Sequence, residues 1–201
     1  MKLYLIRHGQ TDWNIAGKIQ GRTDIPLNAA GRAQAEDLAA GMAHRPVSRI
    51  FTSGMKRALE TAQAVAKAQN IEAQPIEGLE EIGFGAWEGL TWKEVKERYP
   101  ETYQHWWLNP IDVAPPDGEL QDEVRQRCSR VIRKIVAQAE GDAAIVTHGA
   151  MMAYLMEYLM REHPMEEEII VENASITTID YSPLTQDVVL LQMNDTTHLR
   201  Y

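Results

Sequence analysis

The alternation of short apolar runs with amphipathic helical patterns is the sequence feature that most constrains the fold of this 201-residue chain. Residues 3–6, 49–52 and 143–146 are short apolar or β-branched runs of the kind found in buried strands. A helical pattern follows each of them, the first predicted to begin at an Asn28 cap and the others near Met55 and Met151. Repeated strand–helix pairs favour an α/β fold with helices on both faces of the sheet.

The second half of the chain completes this pattern. Residues 124–139 carry apolar side chains at helical spacing and predict a long amphipathic helix. Residues 176–181 and 188–191 are β-branched runs separated by Ser182-Pro183, which predicts a hairpin or two adjacent edge strands. We therefore expect a three-layer α/β/α sandwich with a mostly parallel central sheet. If no other element covers it, the apolar run at 188–191 can serve as a dimer edge, so a homodimer is possible.

A different composition marks residues 82–119, where glycines, prolines and four of the five tryptophans concentrate. Thr91 and Glu94 have the spacing of a capping box, which predicts a short helix from Trp92 to Arg98. We expect one domain over residues 1–201 with this segment inserted as a small helical lid. The alternative is a helical hairpin packed on the core. At least two of its tryptophans are expected to be core residues rather than walls of a pocket.

The overall charge excludes several classes of partner. The chain has 29 acidic and 20 basic residues, a net charge of -9, so nucleic acid and anionic membranes are not expected to bind. A single cysteine, Cys128, rules out an internal disulfide and a thiolate metal cluster within the chain. With too short an apolar N-terminal run for a signal peptide, these features predict a cytoplasmic location. We expect neither a cofactor nor a metal.

Chemically active residues follow the three predicted strands of the parallel sheet. Ligand sites of open α/β sheets lie beyond the carboxyl ends of the strands, so the side chains there are expected to meet. They comprise two histidines, two arginines and neighbouring small residues: Arg7 and His8, then Ser53 and Arg57, then His148 and Gly149. Guanidinium groups and helix N-termini both bind phosphoryl oxygens. Arg57 in a first helical turn opposes the helix dipole, which a bound phosphate would compensate.

Several motifs extend this pattern over essentially the whole chain. They occur in the order RHGQTDWN at 7–14, QG at 20–21, PLNAAG at 26–31, TSGMKRALETA at 52–62, LEEIGFGAWEG at 79–89, PDGE at 116–119, VTHG at 146–149 and NAS at 173–175. In this order and spacing they resemble the histidine phosphatase superfamily, in its phosphoglycerate-mutase-like branch. The resemblance implies a phosphatase acting on a small phosphorylated metabolite.

The resemblance also implies roles for individual residues. His8 is the expected nucleophile and becomes a phosphohistidine, and Glu81 is the expected proton donor and later base. The phosphoryl oxygens are expected to be held by Arg7, Arg57 and His148. Substrate-binding positions are expected at Asn14, Gln20, Gly21 and Gly149, with Thr11 and Arg22 as neighbours. The nearby cations should lower the pKa of His8, and fixed guanidinium groups should stabilise the transferring phosphoryl group without a metal.

The remaining ionisable residues receive no catalytic role. Glu80 is distinguished from Glu81 by the spacing from Leu79, and Glu88 is expected to be a structural or rim residue. The other histidines, expected at the surface or in structural positions, are His44, His105, His163 and His198. The chain has Leu120 where many relatives have serine after the P-x-G-E run, so the orientation of Glu119 is not predicted.

Three functions fit this sequence: a phosphatase, a phosphoglycerate mutase-type transferase, and a catalytically silent phosphate-binding module. Retention of both His8 and Glu81 argues against the silent module. Mutases of the resembling branch carry an E-R-x-Y-G pattern and an arginine pair after the acid, whereas this chain has E-I-G-F-G. We therefore expect a metal-independent phosphatase of small monoesters, with the mutase as the alternative.

Overall fold

A computed structural model of the chain describes residues 1–108, 113–161 and 169–200. The strands within these ranges are β1 Lys2–Arg7, β2 Arg49–Thr52, β3 Ala73–Pro75, β4 Ala143–Thr147, β5 Ile176–Tyr181 and β6 Val188–Asp195. The helices are α1 Asp12–Ile15, α2 Ala29–Met42, α3 Lys56–Gln69, α4 Trp92–Arg98, α5 Pro100–Leu108, α6 Gln121–Gln138 and α7 Gly149–Leu159.

The strands form one mixed sheet in the order β3-β2-β4-β1-β5-β6. The four strands from β3 to β1 are parallel, with Arg7 opposite Thr147 at the ends of β1 and β4. β5 runs antiparallel to β1, and β6 forms the predicted hairpin with β5. The carboxyl ends of β1, β2 and β4 therefore meet at one edge of the sheet.

Alternating side chains divide the core into two layers. Leu3 and Leu5 of β1 belong to the cluster under α6 and α7, whereas Tyr4 and Ile6 belong to the cluster under α2 and α3. A period of two places successive side chains on opposite faces of a strand, so each face needs its own cover of helices. The predicted α/β/α sandwich and its mostly parallel sheet are confirmed.

Helix caps place the predicted helices where the sequence signals indicated. The Asn28 side chain accepts from Gly31 N at 2.8 Å and caps α2. Thr91 and Glu94 form the expected capping box at the start of α4. None of the helices in the described ranges is long and apolar enough to cross a membrane.

The tryptophan-rich segment folds as two short helices, α4 and α5, after a 3-10 turn at Gly85–Trp87. Trp87 and Trp106 are buried in the same cluster as the residues under α6 and α7. Trp92 and Trp107 remain partly exposed. Trp87 and Trp106 are thus core residues, but Trp106 also lines the cavity described below, so only Trp87 is a core residue without being a pocket wall. The segment packs on the core, and its action as a lid stays a prediction.

Three elements of the described residues, β3, α1 and α5, were not individually predicted from the sequence. α5 follows α4 directly and begins at Pro100, a residue type that is favoured in the first turn of a helix. β3 is three residues long and ends at Pro75, so it carries no periodic signal. α1 is a single four-residue helix within a turn-rich stretch, capped by Thr11 and Asn14. The prediction for His163 lies outside the described residues.

Candidate active site

His8 follows β1 with its ring buried and one nitrogen already paired. Its Nδ1 lies 2.7 Å from the carbonyl oxygen of Gly9, which accepts only, so Nδ1 carries the proton. In the neutral ring this leaves the lone pair on Nε2, the tautomer required of a nitrogen nucleophile. Gly9 in turn donates its N–H to Thr61 Oγ1 at 3.0 Å. The loop after β1 is therefore fixed to α3.

His148 lies opposite His8, with ring centroids 5.2 Å apart and an interplanar angle of 63°. Arg57 Nε donates to His148 Nδ1 at 3.1 Å, so Nδ1 is the acceptor and Nε2 holds the proton in the neutral ring. His148 Nε2 is buried and has no hydrogen-bond partner among the described residues. An N–H donor is thus available to an incoming oxygen.

Two arginines surround these rings. Arg57 is fully buried, and its Nη1 and Nη2 donate to the carbonyl oxygens of Thr23 and Gly21, both at 2.9 Å. Arg7 Nη1 donates to the carbonyl oxygen of Val171 at 2.7 Å, while its Nε is buried without a partner in the described part of the chain. Burial lowers the pKa of both guanidinium groups. The hydrogen bonds of both guanidinium groups go to neutral carbonyl oxygens, and Glu81 is the foremost opposing charge for each, so both groups still attract an anionic ligand.

Burial also determines the charge of the two histidines. The pKa of His8 is held well below 6.5, first by burial and then by Arg57 and Arg7. The pKa of His148 is lowered in the same way, by burial and then by Arg57 and His8. The predicted direction for His8 agrees with the structure, but burial, and not the nearby cations, is the larger cause. Both rings are therefore neutral at pH 7.

Glu81 lies at the N-terminus of α7. Its Oε1 accepts from Met151 N at 2.9 Å and from Ile82 N at 3.0 Å, and its Oε2 lies 3.3 Å from Ala150 N. Free N–H groups at a helix N-terminus bind anions, so the same region serves the carboxylate and an incoming phosphoryl group. Glu81 and His8 both line one cavity.

The loop that carries Glu81 is fixed by hydrogen bonds to its carbonyl oxygens. Arg127 Nη1 donates to the carbonyl oxygens of Gly78 at 3.0 Å and Glu80 at 2.7 Å. Thr147 Oγ1 donates to that of Leu79 at 2.7 Å. Arg127 also binds Glu119 through Nε at 2.9 Å and Nη2 at 2.8 Å. Arg127 therefore orients Glu119 without a serine at position 120.

The substrate-binding positions fall into two groups. Asn14, Gln20, Gly21 and Gly149 line the cavity together with Arg7, His8, Arg57 and Glu81. Thr11 lies behind the wall, where its backbone N–H donates to Asn14 Oδ1 and its Oγ1 lies 3.0 Å from Gln20 Oε1. Arg22 does not line the cavity, and its Nη2 binds Glu119 at 3.3 Å. His148 is not among the side chains that line the cavity, but its ring contacts the ring of His8.

Gly21 and Glu88 form one structural unit beside the cavity. Gly21 has a φ of +52°, and a Cβ there would collide with the Glu88 carboxylate. The Glu88 carboxylate accepts from Arg22 N at 2.8 Å, Thr23 N at 2.9 Å and Phe84 N at 3.1 Å. Glu88 is thus a structural residue, as expected, and a side chain at position 21 would displace it.

The sequence matches one known protein family over nearly its whole length. Residues 3–196 match the sequence profile of the histidine phosphatase superfamily, branch 1. The chain belongs to this superfamily. A metal-independent phosphoserine phosphatase of Arabidopsis thaliana is 36% identical over 156 residues, which span 75% of this chain and 65% of that relative, just under two thirds.

Two solved structures share the whole histidine phosphatase fold. Bacillus stearothermophilus YhfR superposes with a TM-score of 0.86 at 33% identity, covering 98% of both chains. A phosphoserine phosphatase variant of Entamoeba histolytica, solved with phosphoserine, gives a TM-score of 0.82 at 32% identity, covering 99% of both chains. The predicted family is confirmed.

Two positioning residues of this histidine phosphatase site were missed from the sequence. Thr61 accepts from Gly9 and donates to the Arg57 carbonyl at 2.7 Å. The sequence did indicate that Thr61 is buried near Arg57, because it lies one helical turn after Arg57 and beside the apolar positions Ala58 and Ala62. Arg127 gave no such signal, since it is one of several arginines on α6 and its partners are distant in sequence.

Proposed function

We propose that the chain is a metal-independent phosphatase that hydrolyses small phosphate monoesters through a phosphohistidine on His8. One observation carries this proposal: the lone pair of His8 Nε2 lies in a site where two buried N–H donors, Arg7 Nε and His148 Nε2, have no partner among the residues that the structure describes. A nucleophile beside donors for oxyanions is the arrangement that phosphoryl transfer requires. The similarity to phosphatases named for phosphoserine supports the same reaction class.

In the first step His8 Nε2 attacks phosphorus, and the bond from phosphorus to the ester oxygen breaks. Arg7, Arg57 and the N–H of His148 stabilise the charge on the equatorial oxygens. Glu81, in its protonated form, donates its proton to the leaving alkoxide. The products are an alcohol and a phosphohistidine, with Glu81 ionised.

In the second step a water molecule attacks the phosphohistidine. The Glu81 carboxylate accepts a proton from that water, and the bond between phosphorus and Nε2 breaks. The electron pair of this bond returns to the ring, so His8 is again neutral with its lone pair on Nε2. The same carboxyl group serves both steps, and the phosphate ion leaves from the cavity.

A His8→Ala variant tests the nucleophile. We expect p-nitrophenyl phosphate turnover to fall by at least about a thousandfold, because the covalent route is lost. His44→Ala, which removes an exposed histidine, is the matched control and should retain full activity. Wild-type enzyme quenched during turnover should carry an acid-labile, alkali-stable phosphoryl group that His8→Ala lacks. Substantial turnover by His8→Ala would exclude this nucleophile.

A Glu81→Gln variant tests the acid. Alkyl phosphates need a protonated leaving group, whereas p-nitrophenolate leaves without one, so the variant should lose about a hundredfold or more of its rate on alkyl esters and less on the aryl ester. Glu80→Gln is the control, since Glu80 binds Gly78 N at 2.8 Å outside the cavity wall. Equal losses on both ester classes would remove Glu81 from this role.

The sequence and the structure support four further proposals. The lone cysteine favours the cytoplasm, which cell fractionation tests. The exposed Val189 and Leu191 on the outermost strand favour a homodimer, which sedimentation tests. Residues 82–119 are proposed as a lid because Phe84, Trp92 and Trp107 line the cavity. Phosphatase is preferred to mutase because Arg22 binds Glu119 instead of facing the cavity.

A further inference from the structure

The cavity is much larger than a phosphoryl group requires. It has a volume of about 810 Å³ and is lined by the proposed phosphoryl-binding residues together with many other side chains. These other side chains are mainly aromatic and aliphatic. Those that carry the argument are Trp13, Phe84, Trp92, Trp106, Trp107 and Tyr154. We refer to the part of the cavity lined by these six side chains as the aromatic chamber.

The tryptophans of the chamber are held by one another. Trp106 is buried, and its ring centroid lies 5.0 Å from that of Trp107 and 5.9 Å from that of Trp92. Trp92 and Trp107 nevertheless leave 40% and 53% of their surfaces exposed. Binding is favoured when an apolar group of a ligand covers a large apolar surface that faces a pocket. The chamber is therefore preformed for an apolar occupant.

Charged groups in the chamber do not favour a second anion. Lys18 Nζ lies 5.7 Å from the centroid of the Trp13 ring, and Glu157 accepts from Arg125 Nε at 2.9 Å. Lys18 and Glu157 carry opposite charges, and both line the cavity. A carboxylate or a second phosphate on the substrate would face the Glu157 carboxylate as well as the Lys18 ammonium. The observed wall suits an uncharged alcohol better.

We propose that the preferred substrates are monoesters of bulky apolar alcohols, aromatic or long-chain alkyl, and that Trp92 and Trp107 determine this specificity. The inference rests on the proposed phosphatase activity of the same site. In this proposal the phosphoryl group lies beside His8, and the alcohol extends into the aromatic chamber. Hydrolysis then releases an apolar alcohol and inorganic phosphate, with atoms balanced by one water.

The test uses primary alkyl phosphates, whose leaving groups are of nearly equal acidity. Ethyl, butyl and 3-phenylpropyl phosphate differ in apolar surface, and phosphoserine adds charge at a similar size. We expect kcat/KM to rise about threefold to fourfold for each methylene that leaves water, or about tenfold from ethyl to butyl phosphate. Butyl phosphate should also exceed phosphoserine. A flat series, or preference for phosphoserine, overturns the inference.

Variants assign the effect to the chamber. Trp107→Ala and Trp92→Ala should each lower the ratio of kcat/KM for 3-phenylpropyl phosphate to that for ethyl phosphate by at least about fivefold. Trp107→Phe should restore most of the ratio, which a merely structural role would not predict. Leu184→Ala, an exposed apolar residue in the turn before β6, is the control and should leave the ratio unchanged. An unchanged ratio in both tryptophan variants contradicts the assignment.

p-Nitrophenyl phosphate separates the two levels of the proposal. If the enzyme hydrolyses this ester and its kcat/KM is the same for every alkyl ester, the proposed phosphatase activity is supported and the proposed preference for apolar alcohols is wrong. If no ester is hydrolysed, the proposed function fails, and the inference fails with it. Hydrolysis with the predicted gradient supports both.

Discussion

Thr61 connects the nucleophile loop to the helix that carries Arg57, so its hydroxyl is the most informative single group to remove. Thr61 is fully buried, accepts from Gly9 N at 3.0 Å and donates to the Arg57 carbonyl at 2.7 Å. Thr61→Val keeps the shape and removes both bonds. The Arg57 carbonyl remains within the hydrogen-bonded ladder of α3, whereas the Gly9 N–H is left buried without an acceptor.

The size of the effect follows from these two bonds. A lost hydrogen bond costs about 1 kcal/mol, and a buried unsatisfied N–H costs about 1–3 kcal/mol, so we expect a loss of about 2–4 kcal/mol. For a chain of this length, each kcal/mol lowers Tm by about 2–4 °C, giving a decrease of roughly 4–16 °C. Gly9 also accepts the His8 Nδ1 proton, so kcat should fall about tenfold or more as His8 loses its orientation.

Thermal and guanidinium denaturation measure the stability, and p-nitrophenyl phosphate hydrolysis well below Tm measures kcat. Thr61→Ser is the matched control, because it keeps the hydroxyl and loses one methyl group, a cost of about 1 kcal/mol. The reasoning would be refuted if Thr61→Val melted within 2 °C of the wild type, since the smallest expected decrease in Tm is roughly 4 °C. It would also be refuted if Thr61→Ser lost as much stability and activity as Thr61→Val.

Three further predictions follow from the same site. Since burial holds the pKa of His8 and His148 well below 6.5, the unfolded chain binds protons that the folded chain does not; stability is therefore full above pH 6.5 and is lost as the pH falls toward the folded values. Denaturation should show a lower free energy of unfolding at pH 5 than at pH 7, by at most about 2 kcal/mol for each histidine, and His8→Gln should remove the part of this loss that His8 contributes. Arg127→Met leaves the Glu119 carboxylate without its bidentate partner, so the free energy of unfolding should fall by about 3 kcal/mol. Arg130→Met, also on α6, is the control. Equal Tm values for the two variants would contradict this prediction. Hydrolysis should retain its full rate in EDTA, because guanidinium groups and not a metal are proposed to bind the phosphoryl oxygens, and restoration of a lost rate by a divalent ion would overturn that assignment.

Local sequence signals predicted most of the secondary structure because they act over a few residues. The helix cap at Asn28 and the capping box of Thr91 and Glu94 are each complete within four positions, and the structure contains both. β3 was missed because three residues are too few for a period of two to appear, and its strand character comes from pairing with β2.

The positions of the candidate site residues were predicted from the sequence, whereas the protonation of the two histidine rings was not. His8, Arg57 and His148 each follow a predicted strand, and that position alone is enough to place them at one edge of a parallel sheet. The protonation of the rings does not follow from the sequence. It depends on the Gly9 carbonyl beside His8 and on the Arg57 guanidinium beside His148, a pair separated by 91 residues.

The sequence alone thus determined the family, the strand–helix order and the residue types at the sheet edge, because periodicity, caps and ordered motifs are local properties of the chain. Only the tertiary structure decided which donors have no partner within the described ranges, how Arg127 holds the loop of Glu81, and that Trp92 and Trp107 line the cavity. The physical reason is that burial and hydrogen bonding depend on contacts between residues far apart in sequence, which no local pattern records.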